Sequence, residues 1–260
     1  MIRIAIANQK GGVGKTTTAI NVATALAATG WKVLLLDFDP QGNASTGLGV
    51  GNTERERSSY HLVTGDCTVE EAVIATKVPR LDLIAATVDL SGAEIELVDY
   101  EDRTSLLDRA LDAATPGRWD ICLIDCPPSL GLLTINAMVA ARQLLVPLQC
   151  EFFALEGLSQ LLQTIERIRV RFNPTLSILG VVLTMYDRRN RLTEQVAQDV
   201  RACLGNVVFE TVIPRNVRLS EAPSYGLPAL IYDIRCSGSE AYMKLASELL
   251  GRLPKGLKAA

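Results

Sequence analysis

Histidine is almost absent: His61 is the single imidazole in 260 residues, which leaves no material for Ser-His-Asp or Cys-His catalysis or for an imidazole-rich metal site. The six cysteines, Cys67, Cys122, Cys126, Cys150, Cys203 and Cys236, contain no C-x-x-C pair, so neither a zinc pattern nor a dithiol redox motif is present. Cys122, Cys126 and Cys150 lie in or beside apolar runs and read as small, buried, reduced thiols. No stretch reaches the roughly 18 uncharged apolar residues of a membrane span. Met1-Ile2-Arg3 leads into a strand-like run instead of a signal sequence, which predicts a cytoplasmic protein with no membrane partner. A basic excess is also missing, since the net charge is −3. The distribution is uneven, however: residues 151–260 carry 14 Lys and Arg against 11 Asp and Glu, whereas residues 1–150 carry 12 against 18. The positive excess is C-terminal and local.

What the chain has in place of these is a glycine-rich turn. Lys10-Gly11-Gly12-Val13-Gly14-Lys15-Thr16-Thr17 follows directly on the apolar run Ile2–Ala7 and reads as strand, turn, then helix. Glycines let backbone N–H groups approach a polyphosphate without Cβ clashes, and the helix start adds its positive dipole end. Lys15 and Thr16 stand where a phosphate-loop lysine and a Mg²⁺-binding hydroxyl belong. This predicts a nucleoside triphosphate site. The loop departs from G-x-x-x-x-G-K-S/T in one respect: Gln9 takes the first glycine position and a second lysine, Lys10, follows it.

Strand-like runs recur at Ile2–Ala7, Val33–Asp37, Leu81–Ala86, Ile121–Asp125, Gln143–Leu148, Leu179–Thr184 and Val207–Val212. Most are continuously apolar, as strands covered on both faces should be. Helical patterns lie between them, over Thr16–Thr29, Leu155–Phe172 and Ser239–Leu250. The alternation predicts an α/β fold with one doubly wound, mainly parallel sheet and helices on both faces, and, with the phosphate loop, a single P-loop domain over residues 1–260. Thr53–Lys77 reads as a surface insertion with weak helical character at Val69–Ala75, and Ala93–Ala114 as an acidic helix.

Ligands of such folds gather at the carboxyl ends of strands. Asp37 and Asp39 end the second strand, and Asp125 ends Ile121-Cys122-Leu123-Ile124 in a Walker-B-like context. A Mg-nucleotide supplies the positive partner that clustered carboxylates need.

Four strings carry a resemblance: Asn8–Thr18, Asp37-Phe38-Asp39-Pro40-Gln41-Gly42-Asn43, Asp125-Cys126-Pro127-Pro128-Ser129-Leu130-Gly131, and Ile213–Pro223. Together with Gln149–Gly157 and Leu183–Asp187, they make nearly the whole chain similar to the ParA/Soj chromosome-partitioning ATPases, which use a deviant phosphate loop. It resembles the short chromosomal type. The resemblance implies that Lys15 holds the β- and γ-phosphates, with Gly11, Gly12, Val13, Gly14, Thr16 and Thr17 completing the ATP loop. It implies Thr16, Asp39 and Asp125 around Mg²⁺, Asp39 acting on the attacking water, and Lys10 crossing to the phosphates of a partner in an ATP-bound homodimer. Pro214 and Asn216 correspond to adenine-lining positions.

Arg188, Arg189 and Arg191 form a basic cluster in a loop before a helix, and Arg215, Arg218 and Arg235 fall in later loops. On one face, doubled in a dimer, they would neutralise several phosphates. No base-reading module is visible, so contact to DNA should be to its backbone. The family binds DNA without sequence preference through this half, which implies a nucleoid-associated protein working with a ParB-type centromere-binding partner. Three alternatives share the loop. A MinD-like membrane regulator needs a C-terminal amphipathic helix, but Leu250–Leu257 is broken by Pro254 and two glycines. A nitrogenase-type reductase needs cluster cysteines that Cys126 does not match. An ATP-dependent amide ligase of the cobyrinate type stays open.

Overall fold

The computed structural model describes residues 1–253. Eight strands are present among them: β1 (Ile2–Ile6), β2 (Val33–Asp37), β3 (Val73–Ala75), β4 (Leu81–Ile84), β5 (Ile121–Asp125), β6 (Gln143–Gln149), β7 (Ser177–Tyr186) and β8 (Val208–Pro214). They form one sheet in the order β3-β4-β2-β5-β1-β6-β7-β8. All pairings are parallel except β3 with β4. Parallel strands need crossover connections, and the helices of these crossovers cover both faces.

Side chains alternate across the sheet, so each strand feeds two cores. Ala5, Leu34, Leu36, Cys122 and Ile124 enter one, while Ile4, Ile6, Val33, Leu35, Ile121 and Leu123 enter the other. Both sets are fully buried, which explains why these strands lack the polar alternation of a one-sided sheet. Helix α1 (Lys15–Ala28) sits in the second core against the sheet and against the last helix, Ser237–Arg252. Register places the ends of three central strands side by side, with Asp125 opposite both Ile6 and Asp37.

Two sequence expectations are corrected. The segment 53–77 is no surface insertion, because Leu62, Val63, Val69 and Ala72 belong to the first core. Its 69–75 part is helical only over Val69–Ala72, after which Val73–Ala75 pairs antiparallel with β4. β-Branched Val73 and Ile74 suit a strand once the β4 edge is there to accept them, and no local pattern announces that edge. The expected helix at 93–114 is broken into Leu90–Glu96, a 3-10 turn at Leu97–Asp99, and Leu106–Asp112. His61 caps its own helix, Nδ1 lying 3.3 Å from the Ser58 N–H and 3.2 Å from its hydroxyl. Residues 254–257, part of the segment on which the membrane-helix alternative turned, lie outside the described residues.

Candidate nucleotide site

The glycine turn is shaped by its first and last residues. Asn8, at the end of β1, donates from Nδ2 to the Pro147 carbonyl at 2.7 Å and accepts the Lys10 N–H at 3.0 Å. Thr184 at the end of β7 donates to the Val13 carbonyl at 2.8 Å. Between these anchors Gly12 and Gly14 adopt φ of 76° and 86°, a left-handed backbone that side chains rarely tolerate. A Cβ at Gly11, Gly12 or Gly14 would meet nothing within 4 Å. The turn therefore encloses open space, and α1 begins beneath it with Gly14 as its cap and no side chain on its first N–H groups. An anion the size of a phosphate fits both facts.

The two lysines diverge. Lys15 is 7% exposed, and its Nζ donates to the Lys10 carbonyl at 3.1 Å, wrapping the loop from inside. Burial lowers its pKa, and the carboxylates of Asp125 and Asp39 pull it back up. Lys10 stands on the rim, 45% exposed, where its ammonium pairs with Glu151.

The three acidic residues also divide. Asp37 is spent on backbone: Oδ2 accepts the Ser45 N–H at 2.8 Å and its hydroxyl at 2.6 Å, and Oδ1 accepts the Asp39 N–H at 3.3 Å. Burial pushes its carboxyl up to about 6. Asp39 is 7% exposed and accepts the Gln41 N–H at 3.0 Å through Oδ1. Asp125 is fully buried, and neither oxygen has a hydrogen-bond partner of good geometry although the Thr16 hydroxyl faces it. Burial, and then the neighbouring Asp37, raise its pKa well above the carboxylate range. An orphaned buried carboxylate beside a hydroxyl and an open phosphate cradle is the donor set that a hydrated Mg²⁺ completes. Among the described residues no group of three or more His, Cys, Asp or Glu side chains gathers to hold a metal by itself. Water and phosphate oxygens would complete the shell of such an ion.

Pro214 and Asn216 line a cavity of about 290 Å³ that opens on the phosphate loop through Gly14 and Thr17. Its lining also includes Thr184 and Met185, to which the sequence pattern assigns no role. Met185 has φ 51°, one of two non-glycine residues on the positive side among the described residues, and such strain clusters at ligand sites. Asn216 uses Oδ1 to cap the next short helix and Nδ2 to reach the Ser237 hydroxyl at 2.9 Å. The buried cysteines are inert: burial pushes Cys122 up to about 12 and Cys150 to about 11, and raises Cys126 as well.

Comparison with known proteins narrows the reading. A family profile described as an AAA domain matches residues 1–178. The chromosome partitioning protein ParA of Caulobacter vibrioides is 61% identical over 250 residues, covering 96% of this chain and 94% of that one. The sporulation initiation inhibitor protein Soj of Bacillus subtilis is 52% identical over 246 residues, covering 95% and 97%. The chain belongs to the ParA/Soj family of chromosome-partitioning ATPases. Among solved structures it is similar to a cobyrinic acid a,c-diamide synthase from Mycobacterium smegmatis with bound ADP and magnesium. That likeness has 37% identity and a TM-score of 0.85 over 99% of this chain and 98% of that one.

In this ParA/Soj member the six arginines expected on one face are all exposed, but they are not equivalent. Arg188, Arg189 and Arg215 line one open groove of about 880 Å³ together with Lys244, a cation that the sequence pattern does not single out. Arg191, Arg218 and Arg235 do not line it. Arg189 is held by Asp187 through paired contacts of 2.9 and 2.8 Å, which keep that carboxyl down at about 2. Arg218 lies 2.9 Å from Glu221 and 3.6 Å from Asp233. Lys244 escapes notice because its helix, Ser237–Arg252, shows no basic run in sequence; only the approach of that helix to the β7 and β8 ends brings it there.

Proposed function

We propose that this protein is a Mg-ATP-dependent ATPase, one domain over residues 1–260, that pairs with a second copy when ATP is bound. In that state it holds DNA without sequence preference, in the cytoplasm and on the nucleoid. A partner of the ParB centromere-binding type resets it by stimulating hydrolysis. The observation that carries the reading is the division of labour between the two lysines: Lys15 is committed to the inside of its own loop, whereas Lys10 projects from the rim, paired only with Glu151 among the described residues.

The roles follow from position. Backbone N–H groups of Gly11, Gly12, Val13 and Gly14, with Lys15, Thr16 and Thr17, receive the phosphates. Thr16, Asp39 and Asp125 hold Mg²⁺ and its water shell, and the ion supplies charge neutralisation at the phosphates. Asp39 orients the water that attacks the γ-phosphate. Pro214 and Asn216 receive adenine in the cavity beside Gly14. Phosphoryl transfer depends on charge neutralisation more than on covalent help, and a cation delivered by a second subunit is worth roughly 10³–10⁵ in rate in arginine-finger systems. Lys10 is that cation, released from Glu151 as the subunits meet. Hydrolysis then removes the phosphate around which the interface is built, so the dimer has a lifetime.

Arg188 and Arg215 are the principal phosphate contacts of the DNA face, with Arg191 and Arg235, outside their groove, as further contacts. Arg189 and Arg218 contribute less while their local carboxylates hold them. Doubling the face in the dimer makes DNA binding depend on ATP. Co-sedimentation with random-sequence DNA tests this: binding is expected with a non-hydrolysable ATP analogue and not without nucleotide. Equal binding in both conditions contradicts the proposal. A second reading, ATP-dependent amidation, rests on the 37% likeness to the M. smegmatis chain. Glutamine-dependent ATP consumption with cobyrinic acid would favour it.

A further inference from the structure

Arg55 is an expensive residue for its position. The residue is 6% exposed, no carboxylate bonds to its guanidinium among the described residues, and Nε has no partner at all. Burying a cation with no carboxylate bonded to it is unfavourable, and burial lowers its pKa, offset in part by the more distant charges of Asp37 and Glu54. An apolar side chain would fill the space more cheaply, so the three bonds that Arg55 makes must matter. Nη1 donates to the Ala86 carbonyl at 3.0 Å, and Nη2 to the Thr46 hydroxyl and the Val50 carbonyl, each at 2.8 Å.

Those acceptors lie around one turn. Asp39 is followed by Pro40–Gly42 and helix α2 (Asn43–Gly47), and the Gly42 N–H returns to the Asp39 carbonyl at 2.9 Å. On one side Asp37 grips α2 through Ser45, whose hydroxyl also accepts the Ala86 N–H at 3.0 Å. On the other side Arg55 grips Thr46 and the Ala86 carbonyl. Ala86, just past β4, is thus the fixed post, and the turn is tied to it from both sides. Gly42 packs directly on the guanidinium, where a Cβ would collide with Nη1. Next to this turn is a cavity of about 380 Å³ whose lining includes Pro40, Gln41 and Arg55, so without the tie there is room for the turn to shift.

We propose that Arg55 is a positioning residue for Asp39: by lashing α2 and the Val50 carbonyl to the end of β4, it keeps the Asp39 carboxylate in register with the phosphate loop. It touches neither phosphate loop nor Asp39 side chain and acts through the turn alone. The inference rests on the reading of Asp39 as the group that orients the attacking water.

The test separates rate from affinity. Arg55→Met, Arg55→Lys and Thr46→Val are compared with the unaltered protein in Mg-ATP binding, by a fluorescent ATP analogue, and in kcat for ATP hydrolysis. Arg55→Met is expected to bind ATP within about twofold of normal yet lose about 10- to 100-fold in kcat, the scale of a small misplacement of a reacting group. Arg55→Lys should recover part of the rate, and Thr46→Val, which leaves the other two acceptors of Arg55 in place, should lose a smaller part. Millimolar guanidinium should raise the rate of Arg55→Ala, which an unfolded protein would not show; this and Thr46→Val decide the matter if Arg55→Met fails to fold. An unchanged kcat in Arg55→Met and Thr46→Val overturns the inference. So does parallel loss of affinity and rate without guanidinium rescue. Asp39→Asn is assayed alongside: if it hydrolyses ATP at the normal rate, the Asp39 reading itself is wrong, whereas if it is inactive while the Arg55 variants are unaffected, only the role of Arg55 falls.

Discussion

The nucleotide site, with Lys15 at the start of α1 and Asp37 and Asp125 at strand ends, and the rim that carries Arg188 through Arg235 handle charge in opposite ways. At the nucleotide site the charged groups are buried, and the fold and its sheet register set their places: Lys15 and Asp37 are held by hydrogen bonds within the fold, while the Asp125 oxygens are left without a partner. On the rim every one of the six arginines is exposed, and neighbouring carboxylates decide which ones remain available. The difference teaches that buried charge is placed by topology and exposed charge by local competition. The first region should therefore respond to substitution in all-or-none fashion and the second by degrees.

The largest expected effect lies in the buried region. Lys15→Ala should weaken ATP by about 30- to 100-fold, the loss of a charge-assisted hydrogen bond of about 2–3 kcal/mol, as measured by equilibrium binding of a fluorescent analogue. A loss of only twofold would place Lys15 in the exposed, graded class. Asp39→Ala has the larger effect of the two, on rate instead of affinity: hydrolysis should fall by about 10²–10⁴-fold, the scale of lost general-base help, while size-exclusion chromatography with ATP still shows a dimer. A monomer in that experiment would break the separation between binding and chemistry.

The rim sharpens the comparison at smaller scale. Removing one phosphate-neutralising cation should reduce the slope of log K against log salt by about 0.9. Arg188→Ala with Arg215→Ala should thus flatten the salt dependence of DNA binding clearly, whereas Arg189→Ala should flatten it less, because Asp187 already holds that guanidinium. Equal effects would show that the ion pair does not compete with DNA.

The smallest effect is on stability against pH. The Asp37 carboxyl is raised by burial from its ordinary 3.8 to about 6. Its neutral form is the one the fold favours, so its contribution is complete below the unfolded pKa and is lost as pH rises through about 6. Asp37→Asn should therefore gain stability relative to the unaltered, nucleotide-free protein between those pH values, as followed by chemical denaturation. A pH-independent difference would mean that the fold does not favour the neutral carboxyl.

The first region is legible in the sequence, and most of the second is not. A phosphate loop is a contiguous string whose glycines have one physical explanation, so Gly12 and Gly14 can be placed from the order of residues alone. Strand runs are equally plain, because strands buried on both faces leave uninterrupted apolar segments. Val73–Ala75 is hidden since its strand character comes from the β4 edge, and Met185 since nothing in a methionine announces a left-handed backbone. Asp37 looks equivalent to Asp39 in the string, yet in the fold Ser45 occupies it. Lys244 and the Asp187–Arg189 pairing depend on which side chains meet in space, and composition counts only charges.

One measurement bears most directly on the claim that Lys10 works on a neighbour's nucleotide: ATP turnover per subunit across a dilution series, with the dimer fraction followed by light scattering in the same samples. The account predicts a per-subunit rate that rises in proportion to the dimer fraction and approaches zero at high dilution. A rate per subunit that stays constant while the protein becomes fully monomeric would contradict it.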